Sequence, residues 1–153
     1  MDTAAKFRFV KLVATSEVNG GPWTSIAELK VLAGGQSIAP SNWQLAAVDS
    51  EEPGYEASKA FDNDPATFWH TRWSNLPASA PLPHEIQLDL GAPYAISGFR
   101  YLPRQSGNVT AGGRNGDIKG YQFYLSQDGV NWGSAVASCT FQTGSTEQQV
   151  NLP

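Results

Sequence analysis

Near the middle of the chain, Glu85-Ile86-Gln87-Leu88-Asp89-Leu90 alternates polar and apolar residues without a break. Side chains two apart share one face of an extended strand, so this run predicts a strand with one buried face and one wet face. Ala27, Leu29 and Val31 alternate with Glu28 and Lys30 in the same way, and Val150 and Leu152 repeat the pattern later. Phe9 to Thr15 and Tyr121 to Leu125 are rich in aromatic and β-branched residues, which suit a pleated, half-buried surface. Between these runs fall Gly-Gly at 20–21, 34–35 and 112–113, Asn-Gly at 115–116 and Asp-Gly at 128–129. Such pairs turn a chain sharply, and their spacing is that of an all-β sandwich. No helical period survives without a Gly or Pro interruption; Glu56 to Ala60 predicts one turn before Asp62. The expected fold is all-β, a single antiparallel β-sandwich with long loops. At 153 residues, 1–153 should form one domain, since little chain remains for a second core.

Composition narrows the function classes. A hydrophobic share of 41% against 16% charged residues can form a core, so the chain is not of the disordered class. A net charge of −4 and a pI near 5.0 argue against a general nucleic-acid binder. Cys139 is the single cysteine, which excludes an intrachain disulfide and Cys-based zinc spacings. No apolar run approaches the ~20 residues of a membrane span, and Met1-Asp-Thr-Ala-Ala-Lys6 has no apolar signal-peptide core. Five tryptophans are many for this length. Trp43, Trp69 and Trp132 fall in strand or core-loop patterns and are expected to pack, whereas Trp23 and Trp73 fall in loops.

Three stretches could carry chemistry. In Lys59-Ala-Phe-Asp62-Asn-Asp64-Pro-Ala-Thr67, three oxygen-bearing side chains surround Pro65. Hard cations such as Ca²⁺ take oxygen ligands and often complete the shell with backbone carbonyls. An EF-hand is excluded, because the loop counted from Asp62 reaches Trp73 where a bidentate Glu is needed. The same spacing also suits Asx-turns, in which Asp62 and Asp64 bond their own backbone, and spacing alone favours the turn. Next, His70, Arg72 and Trp73 are followed at a distance by Arg104 and Asn108. An indole can stack on the apolar face of a sugar ring while imidazole, guanidinium and amide groups bond its hydroxyls. Ordinary packing for Trp73, a structural role for His70 and a surface ion pair for Arg104 are the alternatives. Third, Trp23 follows Gly20-Gly21-Pro22 on a loop tip, either as an exposed platform or packed on the loop base. No Ser- or Cys-based nucleophile motif is present, and nothing selects a carboxylate pair, so the chain is not expected to be an enzyme.

These segments together resemble the discoidin, or coagulation factor 5/8 type C, superfamily, and within it the galactose-binding carbohydrate-binding module family 32. The resemblance rests on Phe9 to Leu29, Asn42-Trp43, Asp49-Ser-Glu-Glu52, Lys59 to Thr71, Leu102-Pro-Arg104-Gln and Tyr124-Leu-Ser-Gln-Asp-Gly-Val-Asn-Trp132, and covers about residues 7 to 153. It implies a discoidin-like jelly roll. In the family the segment like Phe9 to Leu32 normally closes the domain, whereas here it opens the chain. That order resembles a circular permutation; a piece cut from tandem modules is the competing reading.

The resemblance implies roles, residue by residue. A structural calcium would be held by the Lys59 carbonyl, Asp62, Asp64 and Thr67, completed by the Ala27 carbonyl and Glu28. His70 and Arg104 match the pair that bonds galactose hydroxyls, Asn108 is a third polar group, and Trp73 and Trp23 match stacking positions. Glu51 or Glu52 could also touch the sugar. The implied function is non-catalytic binding of glycans containing galactose, N-acetylgalactosamine or galacturonate. The module would work alone or beside a glycoside-active enzyme, in an extracellular or periplasmic setting. Arg72, Arg104 and Arg114 near the site loops suggest a uronic acid carboxylate as part of the ligand. The alternative within the superfamily is a protein- or phospholipid-binding adhesion domain. Membrane-binding members usually join their termini by a disulfide, which Cys139 alone cannot make.

Overall fold

The computed structural model describes residues 4–74, 80–106 and 114–153. Eleven strands run through the described residues. β1 (Phe7–Ala14), β2 (Ser25–Ile26), β3 (Glu28–Ala33), β4 (Gln36–Ser37) and β5 (Gln44–Val48) come first. β6 (Trp69–His70), β7 (His84–Tyr94), β8 (Ile96–Leu102), β9 (Gly120–Ser126), β10 (Ala137–Thr140) and β11 (Gln148–Asn151) follow. A five-stranded sheet has the order β10-β9-β1-β7-β5, and a four-stranded sheet the order β11-β8-β3-β4. β2 and β6 form a third, short ladder, and every pairing is antiparallel. The one helical turn expected near Glu56 is a 3-10 turn, Ala57–Phe61, and a second spans Pro40–Asn42.

The alternation in β1 and β7 does what its period requires. Val10, Leu12 and Ala14 of β1 and Ile86, Leu88 and Leu90 of β7 are all buried, while the residues between them are partly exposed. Paired across the ladder as Val10↔Leu88 and Leu12↔Ile86, they lay one apolar floor. β8 supplies the opposite wall, where Phe99 stacks on Phe123 of β9 at 4.2 Å between ring centroids, so the two large sheets face each other. Phe141 stacks on Tyr121 and Tyr101 at 4.2 and 4.6 Å and closes one end. The β3–β4 hairpin turns on Gly34 and Gly35 at φ of 58° and 76°, the left-handed pair that a two-residue hairpin demands.

Two expectations need correction. β3 does not alternate cleanly, because Glu28 is buried alongside Leu29, and Leu32 alongside Val31, next to a register shift at Leu32/Ala33. Trp132 is not a core residue. It lies half-buried on the outer side of the five-stranded sheet, with the Lys11 ammonium 4.7 Å from its ring and 4.5 Å from that of Tyr124. Trp43 and Trp69 do pack in the core.

Candidate functional site

The short β2–β6 ladder assembles one end of the molecule. Ser25 pairs with His70 and Ile26 with Trp69, which sends Trp69 into the core and His70 to the opposite face. Past the ladder, the Thr71 amide donates to the Thr24 carbonyl at 2.9 Å, and the Thr24 amide to Thr71 Oγ1 at 3.0 Å. The Ser25 amide also donates to the Gly116 carbonyl at 2.7 Å. Three loops are thereby tied side by side: the one before β2, the one after β6, and the 114–117 turn. Gly116 has φ of +94°, and a Cβ there would come within 2.6 Å of Ser25 Oγ, so only glycine permits this approach.

Between these loops lies a cleft of about 330 Å³. Trp23, His70, Trp73 and Arg104 all line it, so four residues scattered through the sequence converge. Trp23 is half-buried at its wall, and Trp73 is 40% exposed. The His70 and Trp73 rings meet edge to face at 4.6 Å and 84°. His70 Nδ1 lies 2.6 Å from the Thr71 carbonyl, which can only accept, so Nδ1 donates to it. Burial pushes this imidazole down to about 4; the Thr71 carbonyl opposes the shift and the Arg104 charge adds to it. The ring is neutral in ordinary buffers.

Arg104 is buried, and among the described residues it makes no ion pair. Its guanidinium sits 4.4 Å over the Phe68 ring. Nε donates to the Ser106 carbonyl at 3.2 Å and one terminal nitrogen to the Asn115 carbonyl at 3.1 Å, leaving N–H groups for a ligand. Asn108 lies outside the described residues. Arg114 is paired with Asp117 and donates to the Arg104 carbonyl at 3.0 Å, so it holds Arg104 from behind. Arg72 bonds the Ser74 carbonyl at 3.1 Å and lines a separate hollow with Asp49 and Glu51. Of the three arginines, Arg104 is the one that lines the cleft.

Three cleft residues escaped the sequence reading: Tyr55, Phe68 and Asn115. Phe68 is two residues before His70 and shares its face, a period-two signal that was present in the sequence. Tyr55 packs between Phe68 and Trp73 at 4.9 and 5.0 Å, a contact no local pattern announces. Neither Glu51 nor Glu52 lines the cleft. Glu51 caps the Ala57 amide, while the buried Glu52 carboxylate accepts the Trp73 and Ser74 amides at 2.9 and 3.1 Å and the Ser74 hydroxyl.

Beside the cleft, β3 brings Glu28 against the loop after the Ala57–Phe61 turn. Glu28 accepts the Asp64 amide at 2.9 Å, and burial together with the neighbouring Asp62 carboxylate pushes Glu28 up to about 8. Two carboxylates forced together in this way are what a bound cation would relieve. The Thr67 hydroxyl bonds Asp62 and also reaches the Asp64 carbonyl at 3.2 Å. Asp64 turns its own carboxylate away, to the Ala66 amide at 2.9 Å, so it caps an Asx-turn. Its backbone carbonyl, not its side chain, faces Thr67. Among the described residues, no three His, Cys, Asp or Glu side chains gather at one point. The donor set is two carboxylates plus neutral oxygens, with Ala27 and Lys59 adjoining, which suits a hard cation.

The sequence has clear relatives. A galactose oxidase of Gibberella zeae strain PH-1 is 37% identical over 136 residues, 87% of this chain and 19% of its own length. A sialidase of Micromonospora viridifaciens is 42% identical over 113 residues, 71% of this chain and 16% of its own. An A type blood N-acetyl-α-D-galactosamine deacetylase of Flavonifractor plautii is 31% identical over 106 residues, 67% of this chain and 13% of its own. The chain therefore spans less than a fifth of the length of each of these proteins. The F5/8 type C domain model matches residues 44–153, which takes in β5 to β11 and most of the cleft. Antiparallel sandwich, converging loops and matched segment agree: the chain belongs to the F5/8 type C domain family.

Proposed function

We propose that this domain binds glycans carrying galactose-configured sugars in the cleft between Trp23 and Trp73, without catalysing a reaction on them. The observation that carries the reading is the company His70 keeps. A neutral imidazole, a buried guanidinium with spare donors and two indoles line one cleft. An indole takes the apolar face of a pyranose, His70 Nε2 accepts from a hydroxyl, and Arg104 donates to the axial and neighbouring oxygens. A sugar with the wrong hydroxyl orientation leaves one of these buried groups unpaired, which is the source of selectivity. Two of the relatives act, by name, on galactose or N-acetylgalactosamine, which supports the galacto configuration. A galacturonate carboxylate would meet Arg104 alone among the three site-loop arginines.

The Glu28–Asp62–Thr67 cluster is read as a structural calcium site, with the Asp64 contribution coming from its carbonyl and the Ala27 and Lys59 carbonyls completing the shell. The relatives' greater length supports a module that delivers a glycoside-active enzyme to its substrate. The segment Phe9 to Leu32 is read as the family's closing segment in rotated order, since β1 lies between β7 and β9 although the matched region begins at Gln44. A glycan array with and without a chelator tests the proposal. Binding confined to galacto-configured glycans is expected; binding to phospholipid vesicles in place of glycans would overturn it.

A further inference from the structure

His84 is buried at 1% exposure and lies outside the cleft, at the first position of β7. Both of its ring nitrogens face acceptors. Nδ1 is 2.6 Å from Asp49 Oδ2, and Nε2 is 2.7 Å from the Pro22 carbonyl. A neutral imidazole carries one N–H and could satisfy one of these contacts while setting a lone pair against the other oxygen. The other Asp49 oxygen, Oδ1, accepts from the Glu85 amide at 2.8 Å, which holds the carboxyl group against the ring. Two acceptors at these distances require both nitrogens to donate, so the ring is an imidazolium.

The Pro22 carbonyl is bonded directly to the Trp23 nitrogen, so whatever holds it holds the tryptophan at the cleft wall. The same loop is gripped from its other side by buried Glu17, which accepts the Gly21 and Trp23 amides at 3.0 and 3.3 Å and the Gly116 amide at 3.0 Å. Glu17 acts on the loop's N–H groups and His84 on its carbonyl. We propose that His84 is a positioning residue: its imidazolium joins Pro22 to Asp49, fixes Trp23 at the cleft wall, and loosens ligand binding when it loses its proton. The proposal rests on the glycan-binding reading for its last clause only.

The groups around the ring set the direction of the pH effect. Among the described residues, Asp49 is the one charged side chain bonded to it; Ala14 lies opposite in β1, and the Ala80 backbone adds a further contact. Burial works against the charge, but Asp49 and the Pro22 carbonyl outweigh it and hold His84 above the ordinary 6.5. With a raised folded pKa, the join is complete below 6.5 and is lost as pH rises through the folded value.

The test uses the whole chain in two arms. Without ligand, imidazole nitrogen NMR from about pH 5 to about pH 9 reads His84, while the Trp23 indole N–H is followed alongside. Both His84 nitrogens are expected to be protonated at about pH 6.5, and the Trp23 signal to shift with the midpoint of His84. A neutral single tautomer there, or a Trp23 signal indifferent to the titration, overturns the proposal. In the second arm, calorimetry with methyl β-D-galactopyranoside should show affinity roughly threefold to tenfold weaker above the His84 midpoint, as positioning is lost. Trp23→Ala should bind more weakly and lose that alkaline limb while His84 still titrates; a limb that survives in Trp23→Ala contradicts the coupling. If the galactoside binds at no pH, the glycan reading fails and the NMR arm alone decides the join.

Discussion

The Arg104 guanidinium lies 4.4 Å over the Phe68 ring, in a residue only 9% exposed. The charge is tolerated there because the ring face and two backbone carbonyls stand in for water and the Asp117 carboxylate favours it. Lysine keeps the charge but has neither the planar face nor the fork. Arg104→Ala and Arg104→Lys should therefore both weaken galactoside binding by about tenfold or more, some 1.4 kcal/mol, as read by calorimetry. Arg104→Ala within twofold of the wild type would remove the residue from the site.

Trp73 is 40% exposed, and its ring meets His70 edge to face. Trp73→Ala should lower the melting temperature little, yet reduce affinity by roughly tenfold through lost stacking, about 1.4 kcal/mol. A sugar-induced change in tryptophan fluorescence should vanish in the same variant. Unchanged affinity there would leave Trp73 as packing only.

Because His70 titrates at about 4, the folded protein keeps it neutral while an unfolded chain takes up a proton near 6.5. Stability should decline as pH falls from 6.5 toward 4 and then level off, as far as this residue is concerned. Affinity should stay flat from pH 6.5 down to about pH 5, since His70 remains neutral over that range. Denaturant midpoints and calorimetry over the acid range check both halves; an affinity that falls near 6 points to a charged His70 instead.

The Glu52 carboxylate holds the Trp73 and Ser74 amides, and burial notwithstanding, those bonds and the Ser74 hydroxyl keep it below the ordinary glutamate value. Its contribution is present above the unfolded-state pKa and is lost as pH falls through the lower folded one. Glu52→Gln keeps one acceptor and should lose affinity several-fold with a modest drop in melting temperature. Glu52→Ala should lose more of both. If melting temperature falls and affinity does not, Glu52 supports the fold without ordering Trp73.

Calcium should raise the melting temperature of chelator-stripped protein in a concentration-dependent way, by about 2.7 kcal/mol in stability at a hundredfold excess over its dissociation constant. Glu28→Gln should shrink that response. A melting curve identical with calcium and with chelator would make the Glu28–Asp62 pair a proton-sharing contact and nothing more.

The strands were legible because burial on one face leaves a period of two in the sequence, as in Val10, Leu12 and Ala14. Glu28 broke that rule for a reason outside its own strand: it turns toward Asp62, thirty-odd residues on, so its burial is set by a partner that no local pattern names. The cleft divided in the same way. His70 and Trp73 stood together in the chain, and Trp23 was marked by the Gly-Gly-Pro before it. Tyr55 and Asn115 were hidden, since they reach the cleft only through tertiary contacts. The roles of Glu17 and His84 were equally invisible, because each holds backbone groups that look alike in any sequence.

The position of β1 bears on how the molecule comes to be made. Val10 sits between Leu88 and Leu125, so both neighbours of the first strand are synthesised long after it. As the chain emerges, this apolar strand has no partner within the large sheet until β7 is made. Pairings so distant in sequence make for slow folding and for exposure to aggregation in the interval. The large sheet is therefore completed late, around the strand that comes first along the chain.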